Sequence, residues 1–299
     1  MKKLLKWLGI FLIGLVAIGL LAVAGVYIVS GSGINKTYDV AAQPITVPTD
    51  AAAIEEGARL TIIRGCNDCH EADFGGKLFI DDPLLGTFYT ANLTSGAGGV
   101  AAHYSVEDWD RAIRHGINPE GKGVMIMPSN EFSVLSDEQL GQIIAYLQSV
   151  PPVDREHPAP KVGLLGRVLF LAGQLPLLPA AAIDHTAVHP AAITPAASAE
   201  YGAYMATTCM GCHQPNLAGG PIPGAAPGDP PSANLTPAGH LANWTLEDFR
   251  TVLRNGVTPE GTALNPEVMP WPIMQHMTDV EIEAVWLYLN SLPPVASAK

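Results

Sequence analysis

The chain has 299 residues and a formal net charge of −12 at neutral pH. It is long enough for two domains that each bury a core. The chain is acidic and has no basic patch, and this charge pattern excludes nucleic acid as a partner.

A basic amino-terminal segment is followed by a long uncharged one. Lys2, Lys3 and Lys6 precede an apolar run of 23 residues, 7–29, enough for about 34 Å of helix. We interpret residues 1–30 as a transmembrane anchor, with the amino terminus in the cytoplasm and the rest of the chain on the periplasmic side. The alternative is a cleaved signal peptide, because Ala22-Val23-Ala24 resembles a cleavage site. The apolar run continues past that point, which favours an uncleaved anchor. Residues 31–50 lack periodicity and are predicted to be a linker.

A short motif, Cys66-Asn67-Asp68-Cys69-His70, follows a helix predicted from about Ala51 to Gly65. It recurs as Cys209-Met210-Gly211-Cys212-His213. C-x-x-C-H is the attachment sequence of c-type haem. Two thiols three positions apart on a helix reach the two vinyl groups on one porphyrin edge, and the histidine that follows offers its imidazole to the iron.

The two motifs contain all four cysteines of the chain, so no thiol remains for a disulfide or a nucleophile. A pair of zinc knuckles is the alternative. A structural zinc normally takes four protein ligands, and neither motif has a further Cys or His nearby. We therefore expect two covalently attached haems c, held by Cys66, Cys69, Cys209 and Cys212, with His70 and His213 as axial ligands.

A sixth ligand for each iron is predicted from two Met-Pro pairs. Met127-Pro128 follows His70 by 57 residues, and Met269-Pro270 follows His213 by 56. Met/His ligation is typical of cytochromes c and raises the reduction potential. Met125 remains an alternative to Met127. Weaker rivals are Met274 and Met277 in the second half and His185 and His189; for these and the remaining histidines packing or surface roles are favoured.

The chain contains an internal duplication. The offset between the halves is 143 residues from Cys66 to Cys209, 142 from Asn92 to Asn234 and 140 from Ser105 to Thr245. So stable an offset indicates a repeated domain, at 51–153 and again at 199–299. Each copy has a capping-box pattern at Ser105 or Thr245 and a helix end at Gly116 or Gly256. Closing helices are predicted at 136–148 and 278–290. Strand signals are nearly absent.

Several segments of the chain resemble those of a known protein family. The residues concerned are the segment 86–94, the Pro-Glu-Gly turns at 119–121 and 259–261, the Met-Pro pairs, and the closing helices with Ala145-Tyr146-Leu147 and Leu287-Tyr288-Leu289. The chain resembles a membrane-anchored dihaem cytochrome c built from class I cytochrome c domains. In particular it is similar to the cytochrome subunits of membrane-bound bacterial alcohol and gluconate dehydrogenases. Those subunits commonly carry three haems, so the resemblance supports the domain type better than the partner.

The resemblance implies an all-α fold, with two tandem class I cytochrome c domains preceded by one transmembrane helix. It also implies that Gly57 lies against Tyr146, and Gly202 against Tyr288, where the first and last helices of each domain meet.

The interdomain segment, 154–198, is rich in alanine and proline. Its apolar stretch from Val162 to Leu178 carries only Arg167 as a charge. We expect this stretch to pack between the domains, against a partner subunit or flat on the membrane surface. A second membrane span is a weaker alternative.

The predicted function is electron transfer between redox proteins of a respiratory or photosynthetic chain. Candidate partners are a dehydrogenase, a quinol-oxidising complex, a terminal oxidase or a soluble carrier, with membrane lipid around the anchor. No acid, base or nucleophile is needed, so no catalytic residue is assigned. The alternative is a dihaem enzyme, such as a peroxidase or a thiosulfate-oxidising cytochrome, which needs an open sixth position on one iron. A gas sensor or a purely structural subunit is a third class.

Charge is divided unevenly along the chain. Three of the 16 basic residues precede residue 31, which leaves 13 basic against 28 acidic residues in the exported part, a formal charge of −15. Such a surface steers basic partners at long range, or serves solubility alone.

Overall fold

The chain is mostly helical over residues 2–222 and 228–297, which the computed structural model describes. The helices are α1 Lys2–Ile34, α2 Ala51–Ile63, α3 Cys66–His70, α4 Val106–His115, α5 Ser129–Phe132, α6 Asp137–Ser149, α7 Leu164–Leu171, α8 Ala199–Met205, α9 Thr207–His213, α10 Leu246–Asn255, α11 Trp271–Met274 and α12 Asp279–Ser291. The strands β1 Leu78–Asp82, β2 Gly86–Tyr89 and β3 Lys161–Val162 form one antiparallel sheet in that order. The predicted helical class is confirmed.

In each half, the first and last helices cross at a glycine. A Cβ atom at Gly57 would overlap the carbonyl oxygen of Gln142 and lie 3.0 Å from the Tyr146 Cβ. At Gly202 it would overlap the carbonyl oxygen of Ala284 and lie 2.8 Å from the Tyr288 Cβ. The expected glycine–tyrosine contacts are therefore confirmed, and they bring α2 onto α6 and α8 onto α12.

The predicted helix caps are also confirmed. Ser105 and Asp108 form a capping box at the start of α4, and Thr245 and Asp248 form one at the start of α10. Gly116 and Gly256 close these helices in the left-handed conformation. The helix before the first motif ends earlier than predicted, at Ile63, because Gly65 adopts a φ of 72° and starts the separate helix α3.

One hydrophobic cluster runs through both halves. It includes Leu60 and Ile144 of the first half and Ile282 and Leu289 of the second, all nearly fully buried. The predicted linker lies against this body: the Tyr38 amide donates to the carbonyl oxygen of Gly121 over 2.8 Å, and Ile45 and Val47 pack on the cluster. The domain boundaries themselves stay predictions.

The apolar stretch of the interdomain segment does not form a continuous helix. β3 adds to the edge of the β1–β2 hairpin, and α7 packs against α1. A second apolar cluster forms there from Ile34, Phe88, Leu177 and Leu178. The sheet was not predicted; its third strand pairs Val162 with Gly86 of β2, 76 positions earlier in the chain.

Helix α1 is long and apolar enough to span a membrane. Its most apolar 18-residue window has a mean hydropathy of 2.7 and is not buried by the rest of the chain. No other helix among the described residues meets this criterion.

Candidate haem sites

Both cysteine motifs lie on helices that end at their histidine. α3 carries Cys66 and Cys69 on one turn, and Glu71 with a φ of 66° ends it. α9 carries Cys209 and Cys212, and Gln214 with a φ of 69° ends it. Left-handed backbone at a non-glycine residue is uncommon, and its recurrence at matching positions shows that both copies leave the helix in the same way.

Each of the two histidines makes an equivalent hydrogen bond to a backbone carbonyl group, and this bond fixes the tautomer of its imidazole. His70 and His213 are 9% and 7% exposed, and the Nδ1 of each lies 2.7 Å from a backbone carbonyl oxygen, that of Ala91 or Ala233. Nδ1–H is therefore the donor, which leaves the lone pair on Nε2 for a metal. Burial lowers the pKa of both imidazoles against the opposing effect of these carbonyl bonds, so both are neutral at pH 7. A neutral imidazole with a free Nε2 is what iron ligation requires.

An Asn-x-Thr turn holds each of these carbonyl groups in place. Asn92 is 1% exposed; its amide donates to the carbonyl oxygen of Val153 over 2.7 Å, and its Oδ1 accepts from the amide and hydroxyl of Thr94. Asn234 repeats this with Val295 and Thr236. Sequence reasoning used Asn92 and Asn234 only as repeat landmarks. The preserved Asn-Leu-Thr triplet was the signal that could have revealed their role.

None of the four cysteines forms a disulfide, so all four sulfurs remain for another partner. Burial raises the pKa of Cys66 and of Cys209 to about 12 and also raises that of Cys69 and Cys212. Among the described residues no three His, Cys, Asp or Glu side chains converge as ligands for a single ion. Paired free thiols beside a neutral imidazole fit covalent attachment of haem.

The methionine candidates separate by what they contact. Met127 and Met269 are partly buried and pack on the large cluster, as Cys66 and Cys209 do. Met125 packs instead on the second cluster, beside α1 and the interdomain segment. The intervening Ile126 has a φ of 67°, an outlier for a β-branched residue, and its amide donates to the carbonyl oxygen of Leu177 over 2.9 Å.

The alternative methionine ligands of the second half are more buried than Met269. Met274 and Met277 are 8% and 7% exposed members of the core.

Three of the remaining histidines, His115, His185 and His189, pack together. The Nδ1 atoms of His115 and His185 are 3.1 Å apart, and the ring of His189 lies 5.8 Å from that of His115. Burial, more than the neighbouring imidazoles, lowers the pKa of His115 to about 4 against the pull of Asp110. These are packing contacts, the role that the sequence analysis favoured for these histidines.

The two sites face each other across one interface. Arg64, directly before the first motif, is 3% exposed and donates to the hydroxyl groups of Thr207 and Thr208, directly before the second. Its guanidinium carbon lies 5.1 Å from the Tyr204 ring centroid. Sequence reasoning did not find Arg64, because nothing local distinguishes it from a surface arginine.

The loops that follow the Met-Pro pairs complete this interface in a reciprocal manner. α5, after Met127, lies on α9, and Glu131 approaches Gly211 between the two cysteines. α11, after Met269, lies on α2, where Arg59 binds Glu281 over 2.8 Å. Burial raises the pKa of Glu131 to about 7, against the opposing charge of Arg64. Thus α9 meets the loop after Met127, and α2, the helix before the first motif, meets the loop after Met269.

A family model for cytochrome c matches residues 54–151 and 199–293. The chain belongs to the cytochrome c family. Haem c and electron transfer follow from that membership, and they agree with the paired cysteines and neutral imidazoles at both sites. Each of the two matched regions contains one complete motif and one Met-Pro pair.

Several relatives of this cytochrome are dehydrogenase subunits. The alcohol dehydrogenase (quinone) cytochrome c subunit of Gluconacetobacter polyoxogenes is 28% identical over 84% of this chain and 58% of its own length. The fructose dehydrogenase cytochrome subunit of Gluconobacter japonicus is 29% identical over 87% of this chain and 57% of its own. The chain therefore spans less than two thirds of these relatives. A diheme cytochrome c-type protein of Cereibacter sphaeroides is 24% identical over 90% of this chain and 96% of its own length.

Proposed function

We propose that this cytochrome is a membrane-anchored dihaem electron carrier. The observation that carries the proposal is the pairing of two complete sites across one interface. Cys66, Cys69, His70 and Met127 would hold the first haem, and the second set would be Cys209, Cys212, His213 and Met269. A haem iron with a Met/His pair supplies reversible one-electron chemistry.

The chain's own residues serve this role by holding ligands still. The carbonyl groups of Ala91 and Ala233 keep both imidazoles in one tautomer. The Arg64 bonds to Thr207 and Thr208 tie one attachment helix to the other. If Met127 and Met269 complete the two iron sites, both irons would have all six ligands, which suits a two-step relay. A peroxidase or a thiosulfate-oxidising enzyme would instead need an exchangeable sixth position on one iron.

The partner we propose is a dehydrogenase, on the periplasmic side of the cytoplasmic membrane, with α1 as the anchor. Support comes from the relatives, which include cytochrome subunits of alcohol, fructose and gluconate dehydrogenases. A quinol-oxidising complex, a terminal oxidase or a soluble carrier would take the other end of the relay. Co-purification from detergent-solubilised membranes tests the partner: a dehydrogenase subunit in stoichiometric amount is expected, and its absence would contradict the assignment.

Haem stoichiometry tests the relay itself. Pyridine haemochrome absorbance against protein mass should give two covalent haems per chain, and the double variant Cys209→Ala/Cys212→Ala should retain one. A ratio near one in the unaltered protein would overturn the relay. A double variant that still carries two would overturn the assignment of its second site.

A further inference from the structure

Helix α7 is attached to the last turns of α1. Arg167 donates to the Ser30 hydroxyl over 2.9 Å, and its guanidinium carbon lies 4.4 Å from the Tyr27 ring centroid. Phe170 lies against Gly33, where a Cβ atom would come within 3.1 Å of its ring. Ser30 is fully buried by this contact, whereas the apolar run before it is largely exposed.

This contact lies at the depth where α1 leaves the membrane. About 20 helical residues cross a hydrocarbon core of about 30 Å, and counted from Trp7 they end at Val26. Tyr27, Ser30 and Gly33 therefore emerge among the lipid headgroups. Tyrosine and arginine are residue types that occupy this boundary, since each has an apolar body and a polar end.

The face of α7 that points away from α1 is apolar and uncovered. Leu164, Leu165, Val168 and Leu171 follow a helical i, i+1, i+4, i+7 spacing and are each about two-fifths exposed, between 38% and 43%. We call these four residues the α7 face. The opposite side carries Gly166, Arg167 and Phe170, which contact the hairpin turn or α1.

The turn between β1 and β2 extends the α7 face. The amide of Leu165 donates to the carbonyl oxygen of Leu84 over 3.0 Å, and Leu84 is 60% exposed. Asp82 at this turn accepts hydrogen bonds from the amides of Leu84 and Leu85 over 2.8 and 2.7 Å, so its carboxylate is engaged within the turn. The exposed apolar surface is therefore continuous from the turn onto the helix.

We propose that the α7 face and Leu84 lie in the lipid headgroup region and form a second membrane contact beside α1. The occupant is the lipid surface, because the patch is joined to the spanning helix at the depth where that helix meets the headgroups. A single spanning helix leaves the domain free to tilt and rotate. A second contact beside it fixes which side of the first domain faces the membrane. This inference rests on the proposed anchor role of α1.

Photocrosslinking of the full-length holoprotein in its native membrane tests the contact. The photoreactive residue p-benzoylphenylalanine is introduced singly at Val168, at Phe11 within the apolar run of α1, or at Val188, which is 89% exposed in the interdomain segment. An unchanged haem absorption spectrum confirms folding. After irradiation, mass spectrometry of the purified chain identifies phospholipid adducts.

Lipid adducts at Val168 and Phe11, but not at Val188, are the expected result. Labelling at Phe11 with no lipid adduct at Val168 overturns the second contact while the anchor stands. A crosslink from Val168 to another polypeptide also overturns it and assigns the patch to a protein partner. No lipid adduct at Phe11 overturns the anchor, and the inference with it. Equal lipid labelling at Val168 and Val188 would show non-specific reaction and overturn the contact as well.

Discussion

At the scale of single residues, the predicted haem sites depend on groups that orient the candidate ligands from outside the site. The imidazole of His70 is oriented by the Ala91 carbonyl, which Asn92 and Thr94 hold in place in turn. Thr94 is fully buried, and its hydroxyl oxygen accepts a hydrogen bond over 2.9 Å from the amide of Val153, which follows the closing helix α6. The turn therefore links His70, the predicted ligand, to the end of the domain.

The buried asparagine should contribute measurably to stability. Asn92→Ala removes the side chain that donates to the carbonyl oxygen of Val153 and accepts from the amide and hydroxyl of Thr94, and we expect a loss of about 1–3 kcal/mol in the free energy of unfolding. Denaturant titration of the holoprotein measures this loss. Asn130→Ala, at an exposed position, is the control. Equal effects of the two substitutions would contradict the role of the turn.

The predicted methionine ligands can be distinguished by absorption. If Met127 binds iron, Met127→Leu removes the first domain's share of the weak far-red sulfur-to-iron band, whereas Met125→Leu leaves it intact. Met125 is the matched control because it packs on the other cluster, next to Ile126. The opposite pattern would assign the ligand to Met125.

At the scale of elements, close helix crossings shape both domains. α2 approaches α6, and α8 approaches α12, at positions where only a hydrogen atom fits between helix and backbone. Because these helices carry residues of the common core, their spacing determines how the attachment helices that follow them are presented.

Filling either crossing should therefore be costly. Gly57→Ala and Gly202→Ala should each lower the free energy of unfolding by about 1–3 kcal/mol, since overpacking outweighs the helix preference of alanine. Thermal unfolding measures the effect. Gly31→Ala on α1, where no atom lies within 4 Å, serves as the control and should be neutral or slightly stabilising. Unchanged stability of both crossing variants would show that the helices can separate freely.

At the scale of the whole molecule, the two halves form one body with a reciprocal interface. Arg64 and Glu131 come from the first half, and both lie against the attachment helix of the second. Burial of Glu131 raises its pKa from the ordinary 4.5 to about 7, so the folded protein favours the protonated carboxyl.

The burial of Glu131 makes the free energy of unfolding depend on pH, and the direction of this dependence follows from the raised pKa. Between about pH 4.5 and about 7 the folded state binds more protons at Glu131 than the unfolded state, so the associated stability falls as the pH rises through that range. The free energy of unfolding of the native protein, taken relative to Glu131→Gln, should be lower at pH 8 than at pH 5. Glu138→Gln, at an exposed position, controls for general pH effects. Parallel pH profiles for the native protein and Glu131→Gln would contradict the prediction.

The sequence by itself determined the features that arise within a few residues of one another. Cys66, Cys69 and His70 lie on one helical turn, and the capping box at Ser105 needs only its next three residues, so local rules sufficed. The duplication added a second copy of each signal at a steady offset. Only the tertiary structure decided which carbonyl orients His70, that Met125 and Met127 face different clusters, that β3 joins the hairpin, and that Arg64 links the two sites. Those contacts join residues that are far apart in the chain. Helix packing decides which distant segments meet, and a local sequence pattern contains no information about that packing.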